Sequence, residues 1–204
     1  MQVLPIKNEE TAPWLLKKHY AKRMPQIMFA FGLYENESLI GVITYGLPAS
    51  PYLCMGICGK EYSDKVLELN RICLENNEKN QASYFVAKTL KLIPQPTIVV
   101  SYADTAQGHV GYIYQACNFL FTGTTVERTD MAGSDGKHSR HNKGNREDRV
   151  HRSSKHRYIF FVGTSKQKKE MLSKLNYKAE PYPKGDSKRY DSGGVVAKQD
   201  LLFY

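Results

Sequence analysis

Apolar and polar positions alternate along the chain with two periods, and the changes of period mark out the predicted elements. Trp14 and Leu15 separate from the Lys17 and Lys18 pair at helical spacing, which predicts a first helix over 14–23. Residues 27–34 and 38–47 read as two strands joined at Glu35 and Asn36, the second ending at Gly46 and Pro48. A further strand over 66–74 has Leu67, Leu69 and Ile72 as its apolar content. Over 80–92, Phe85, Val86, Thr89 and Leu90, with Ile93 just beyond, fall in the register of a helix packed on a sheet, and Pro94 and Pro96 stop it. The β-branched run 97–101 reads as a strand buried on both faces. A helix over 110–118, strands over 119–128 and 157–163, and a short helix around 166–175 complete the order. Hairpin, strand, helix, strand, helix, hairpin is an α/β order.

The chain has 204 residues, enough to bury a core without disulfides or a structural metal. The expected organisation is one domain over 1–204, with a basic insertion at 131–155 and a tail at 181–204. Cys54, Cys58, Cys73 and Cys117 sit in apolar or strand-like surroundings and read as free thiols. The longest apolar run, Ile98 through Ala103, is far short of the roughly 20 residues of a membrane span, and no basic-then-apolar signal pattern opens the chain. The expectation is a soluble, cytoplasmic protein without a membrane partner.

Charge changes the picture more. A net charge of +9 favours a polyanionic partner. The excess concentrates between Met131 and Lys155, where Lys137, Arg140, Lys143, Arg146, Arg149, Arg152 and Lys155 face only Asp135, Glu147 and Asp148. That stretch holds no aromatic residue and cannot form a core, so it reads as an exposed, mobile loop whose cations follow a phosphate backbone. Its histidines, His138, His141 and His151, lack the closely spaced cysteines of a zinc site. A second basic, turn-rich stretch occupies 181–188.

Two segments carry candidate chemistry. In NRICLENNEKNQASYF, Asn80, Gln81, Ala82 and Ser83 open a helix whose free N–H groups suit a phosphate or carboxylate, with an ordinary helix cap as the simpler reading. In SYADTAQGHVGYIYQACNF, a buried strand ends in Ser101, Tyr102 and Asp104, and a turn with Gly108, His109 and Gly111 leads into a helix bearing Tyr112 and Tyr114. Ligands bind at the carboxyl ends of strands in open α/β sheets, where this cluster lies.

The spacing of these segments is similar to the GNAT acyltransferase core. More specifically, the chain resembles the Mom family of phage DNA-modification proteins, GNAT-like enzymes that convert adenine in DNA to N6-carbamoylmethyladenine. The resemblance runs through HYAKRMP, FAFGLYENESLIGVITYGLPAS, ELNRICLENNEKNQASYF, SYADTAQGHVGYIYQACNFLFTG, KHRYIFF and PYPKG. It implies a GNAT-like mixed central sheet flanked by helices with a basic loop inserted, and an anti-restriction DNA transferase in the cytoplasm of an infected bacterium. DNA is the implied partner and tRNA a second one; monomer and dimer both stay open. Gln81 stands where the GNAT pyrophosphate loop has glycine, which argues against a simple acetyl-CoA reaction. The implied donor is acyl- or aminoacyl-derived, glycyl-tRNA or a CoA thioester.

Residue by residue, the resemblance brings His19, Tyr20, Arg71, Ser83, Asp104 and Tyr114 into the site, beside His109 from the local reading. It also implies iron held by His19, Tyr20 and Asp104. Adenine N6 is a poor nucleophile that must lose a proton as its new bond forms, so Asp104 or His109 is the expected base and Tyr114 the expected acid for the leaving group. Arg71 would hold a carboxylate, phosphate or developing oxyanion. The flipped base would enter a pocket for which Tyr45, Tyr52, Phe31 and Tyr84 are the aromatic candidates, with core packing as the simpler role for each. Two other classes compete: a conventional GNAT acetyltransferase on a protein or small amine, and a non-catalytic nucleic-acid binder.

Overall fold

The computed structural model describes residues 1–76, 78–131, 149–185, 189–190 and 196–197. The apolar run of the sequence is the centre of the fold. Strand β5 (Thr97–Asp104) holds Ile98, Val99 and Val100 with no exposed surface, as a β-branched run covered on both faces requires. On one side it pairs parallel with β4 (Val66–Leu74); on the other it pairs antiparallel with β9 (Lys155–Val162) along its whole length. With β1 (Gln2–Pro5), β2 (Phe29–Glu35), β3 (Ser38–Gly46) and β6 (Leu120–Thr124), these form a seven-stranded mixed sheet of order β1-β2-β3-β4-β5-β9-β6. The β2–β3 hairpin turns at Asn36 and Glu37, both at positive φ (46° and 67°), the backbone of the tight turns that match strand twist.

Helices cover both faces. On one, α3 (Gln81–Thr89) and α4 (Tyr112–Ala116) pack Phe85, Val86 and Tyr114 against Leu33, Ile43, Leu69, Val99 and Tyr158. On the other, α2 (Pro51–Cys58) and α5 (Ser165–Ser173) bring Ile57 and Met171 onto Val66, Ile98, Val100 and Ile159. The strands alternate between these two cores, as period-two side chains must. Deleting a side chain such as Ile98 from either core would cost about 2–5 kcal/mol.

Several expectations need correction. The helix expected over 14–23 is instead α1 (Asn8–Pro13) running into a π-helical turn (Trp14–Lys18), and the chain is extended again at His19. Trp14 and Leu15 anchor that turn on Val42 and Cys73. The strand expected over 119–128 is two strands. Its first half stays in the sheet as β6, whereas β7 (Arg128–Met131) pairs with β8 (Arg149–Arg152) in a separate ribbon; Gly123, at φ 90°, lies where the β6 register slips. The basic insertion thus begins and ends in strands, and Lys137, Arg140, Lys143 and Arg146 lie outside the described residues. Helix α2 has no counterpart among the elements that the sequence pattern predicts. A short ribbon, β10 (Arg189–Tyr190) with β11 (Val196–Ala197), falls in the tail. All four cysteines are free, and among the described residues no helix is long and apolar enough to cross a membrane.

Candidate active site

The site grows from the place where β4 and β5 part. Their ladder runs from Val66–Ile98 to Glu68–Val100 and stops, and beyond it the Ser101 hydroxyl donates to the Leu69 carbonyl at 2.8 Å. A bulge on β4, where the β3 register slips between Thr44 and Tyr45, puts Leu69 and Ile72 in the same core although they are three residues apart. Arg71 consequently points to the opposite face, the face of Val66 and Glu68. On β5 that face carries Val100, Tyr102 and Asp104, directly opposite Ile159, Arg157 and Lys155 of β9. Alternation therefore lines up Glu68, Arg71, Tyr102, Asp104 and Lys155 on one face beside the opening.

The turn after the π-helical segment brings His19 and Tyr20 over this face. Their rings stack at 4.4 Å, and Tyr20 meets the His109 ring edge-on at 5.9 Å. His109 comes from the turn between β5 and α4, which bonds largely to itself: its N–H donates to the Asp104 carbonyl at 3.1 Å. Gly111, at φ 78°, opens α4 with the Tyr158 ring against its Cα, leaving no room for a side chain. Tyr114 follows one turn later, buried between Phe119 and Tyr158 at ring distances of 5.4 and 5.2 Å.

Charge and burial give each group a state. Burial, helped by Arg71 and His109, lowers the pKa of His19 to about 3, so its imidazole is neutral. Its Nδ1 accepts the Ala21 N–H at 3.0 Å, which leaves the ring proton on Nε2. Burial and the Asp104 charge push Tyr20 up against the opposing pull of Arg71 and Arg23. The Tyr114 phenol is pushed well up by burial, with Ser101 as a partial offset and Tyr20 and Glu68 adding to the rise, so it keeps its proton. Burial lowers Arg71, and Arg23 adds to this while Tyr20, Glu68 and Tyr114 oppose it. Arg71 donates from Nη1 to the Asn70 carbonyl at 2.5 Å, while its Nε is buried with no hydrogen-bond partner among the described residues.

The two carboxylates differ most. Burial would raise Asp104, but the Lys155 ammonium, the Ser153 hydroxyl at 2.5 Å and the Ala106 N–H at 3.1 Å outweigh it and hold the carboxyl below its usual range. Glu68 goes the other way. Burial raises it to about 7 in spite of Arg71, Lys155 and Arg23.

The structure thus brings together His19, Tyr20, Arg71, Asp104, His109 and Tyr114. Ser83 sits in the first turn of α3, where it donates to the Asn80 carbonyl at 3.0 Å and accepts from Cys117 Sγ through its own carbonyl. In the same turn Asn80 is left-handed, Ala82 is buried, and buried Gln81 turns inward to the Glu78 N–H. Lys155, expected on a nucleic-acid backbone, is the partner of Asp104, while Arg152 stays on the ribbon with Arg149. Of the aromatic candidates for a base pocket, two take the simpler role of core packing. Phe31 and Tyr45 belong to the core, Tyr45 bonding Thr89 at 2.6 Å; Tyr84 donates to the Met1 carbonyl; Tyr52 is 82% exposed. Tyr20 and Tyr102 are the aromatics beside the charged row.

The implied iron set does not fit this arrangement. The Asp104 carboxylate is occupied by an ammonium and two further donors, His19 offers a protonated Nε2, and Arg71 and Lys155 surround the position with positive charge. Among the described residues no three His, Cys, Asp or Glu side chains gather for a metal. Glu68 is the residue that sequence reasoning missed. Its only signal was a lone acid between Leu67 and Leu69 in a strand otherwise read for its apolar content.

The model of the Mom protein family matches residues 1–184. The methylcarbamoylase mom of Escherichia phage Mu is 27% identical over 206 residues, covering 88% of this chain and 84% of the phage protein. Among solved structures, NAA60 of Arabidopsis thaliana in complex with acetyl-CoA superposes with a TM-score of 0.50 at 10% identity, over 79% of this chain and 98% of that one. An N-acetyltransferase from Staphylococcus aureus gives 0.47 at 17% identity, over 79% and 98%. The fold is GNAT-like, as the sequence implied.

Proposed function

Because the chain belongs to the Mom protein family, we propose that it is a GNAT-like transferase that modifies DNA, attaching a carbamoylmethyl group to N6 of adenine. The observation that carries this reading is the convergence of His19, Tyr20, Arg71, Asp104, His109 and Tyr114, scattered over almost a hundred positions of the sequence, at the place where β4 and β5 part. The relative from phage Mu bears a methylcarbamoylase name, and the positive charge of this chain suits a nucleic-acid substrate.

In this reading the target adenine leaves the duplex, at a cost of a few kcal/mol, and enters beside Tyr20 and Tyr102. The Arg71 guanidinium, with a buried N–H that has no partner among the described residues, stabilises the charge that develops on the donor. Tyr114 keeps its phenolic proton until the leaving group takes it. Asp104 fixes Lys155 and, through its backbone, the His109 turn. The donor is a thioester or aminoacyl ester, a CoA derivative or glycyl-tRNA, and tRNA is then a second polyanion for the same basic surface. The β7–β8 ribbon and the basic residues between its strands hold the DNA backbone.

The reading is tested by the behaviour of DNA from cells that make the protein. Such DNA should resist restriction endonucleases that read adenine in their sites. Cleavage equal to that of DNA from control cells contradicts it, as an ordinary acetyltransferase or a non-catalytic binder would give.

A further inference from the structure

We propose that Glu68 is the proton acceptor of the reaction, its carboxylate taking the proton from adenine N6 as that nitrogen bonds the donor carbon. The assignment rests on the function proposed above and goes beyond it, since Asp104 and His109 were the residues expected in this role.

Position is the first argument. Glu68 is the last residue of β4 paired with β5, opposite Val100, so its side chain stands where the two strands begin to separate. Its face is that of Arg71, one bulge away on β4, and of Tyr102, the next residue on that side of β5 after Val100. The titratable groups whose charges couple with that of Glu68 come from several elements: Arg71 on β4, Tyr102 on β5, Lys155 on β9, Cys54 on α2, Arg23 from the segment before β2, and Tyr114 on α4 from the far side of the opening. Arg71 and Lys155 are near enough to act on its charge, yet Arg71 spends a donor on the Asn70 carbonyl and Lys155 bonds Asp104. The Arg71 Nε, buried without a hydrogen-bond partner among the described residues, is a further donor on the same face.

Chemistry is the second argument. A general base works best when its pKa lies near the working pH. Two carboxylates in one site whose surroundings drive them apart take different roles. Asp104 already accepts from Lys155, Ser153 and Ala106, and is too weak a base to need a proton. Glu68, raised to about 7, takes one readily. The step balances without a further reactant. The N6–H bond breaks and its proton goes to Glu68; N6 bonds the carbonyl carbon of a glycyl thioester or ester, and the thiolate or alkoxide departs with its electron pair and is protonated by Tyr114; the glycyl amine of the resulting amide then bonds C6 as the original C6–N6 bond breaks, its surplus proton passing to the departing amide nitrogen, which leaves the carbamoylmethyl product N6–CH2–C(O)NH2.

The test uses the full chain with Glu68→Gln and Glu68→Asp, in extracts of expressing cells that supply the host's own donors. The probe is an added adenine-containing duplex, digested to nucleosides and analysed by mass spectrometry. The wild-type rate should rise with pH through a midpoint near 7. Glu68→Gln should lower the rate about 10²-fold or more and lose that rising limb, while duplex affinity stays within a few-fold. Glu68→Asp should retain part of the rate and the limb. Thermal melting of both variants separates chemistry from folding, since removing a half-buried charge should leave Glu68→Gln no less stable at pH 7. A Glu68→Gln protein that modifies DNA at the wild-type rate, or keeps the same pH limb, overturns the assignment. So does a folded Glu68→Asp protein as inactive as the Gln variant but with an unaltered limb in its residual rate. Unmodified adenine with the wild-type protein would instead refute the proposed function itself, and the assignment with it.

Discussion

His19 and Glu68 make the pH dependence of stability a direct probe of the site. The unfolded imidazole titrates at 6.5 and the folded one at about 3. The stability His19 contributes is therefore present above pH 6.5 and is lost as pH falls toward 3. Glu68 is the reverse: unfolded it titrates at 4.5, folded at about 7, so its contribution is full below 4.5 and is lost as pH rises through 7. Each pH unit over which folded and unfolded protonation differ by one proton is worth about 1.4 kcal/mol. From pH 7 to pH 5, His19 alone should cost about 2 kcal/mol and Glu68 alone should return about 2 kcal/mol. In the wild type the two nearly cancel. Substituting one exposes the other: His19→Asn, whose amide oxygen can still accept the Ala21 N–H, should gain about 2 kcal/mol on acidification relative to wild type, and Glu68→Gln should lose about as much. Urea unfolding of the three proteins at pH 7 and pH 5 measures this, and every other titrating group drops out of the comparison. The reasoning is refuted if both variants follow the wild-type pH dependence, because neither group would then be held in the state that burial imposes.

Other expectations follow from particular side chains. Tyr114→Phe keeps the ring between Phe119 and Tyr158 but removes the proton, so modification should fall by roughly 10²-fold with duplex affinity within a few-fold; unchanged modification would displace Tyr114 from the chemistry. Gly111→Ala forces a methyl group into the Tyr158 ring at a positive φ and should cost about 1–3 kcal/mol, read as a lower melting temperature; an unchanged one would mean that α4 shifts freely. Neutralising Arg140, Lys143, Arg146 and Arg149 together should make the slope of log affinity against log salt shallower by about 0.9 for each DNA phosphate that no longer meets a cation. An unchanged slope would move the DNA surface to Lys17, Lys18, Lys22 and Arg23.

Much of the architecture was legible because burial on both faces leaves a strong mark. The run Ile98–Val99–Val100 could only be a central strand, and Pro94 and Pro96 bounded it from the preceding helix. What was not legible arose where local pattern and tertiary placement part. Trp14 and Leu15 look helical, but the turn they form is π-helical and stops at Lys18, so His19 and Tyr20 leave any helix face and lie across the sheet. Lys155 resembled its basic neighbours in sequence, and only the antiparallel register of β5 and β9 sets it opposite Asp104. Glu68 lies in a strand that the sequence pattern marks only by its apolar residues. Its role depends on α2 covering that face, and the short, proline-flanked segment of α2 carried no helical period to announce it.

The central claim is chemical, and nucleoside mass spectrometry of DNA from expressing cells tests it most directly. The account predicts a modified deoxyadenosine heavier by a carbamoylmethyl group, abundant with the wild-type protein and strongly reduced with Tyr114→Phe. Unmodified deoxyadenosine in cells rich in folded protein would contradict it, and a different modified base would remove the adenine assignment.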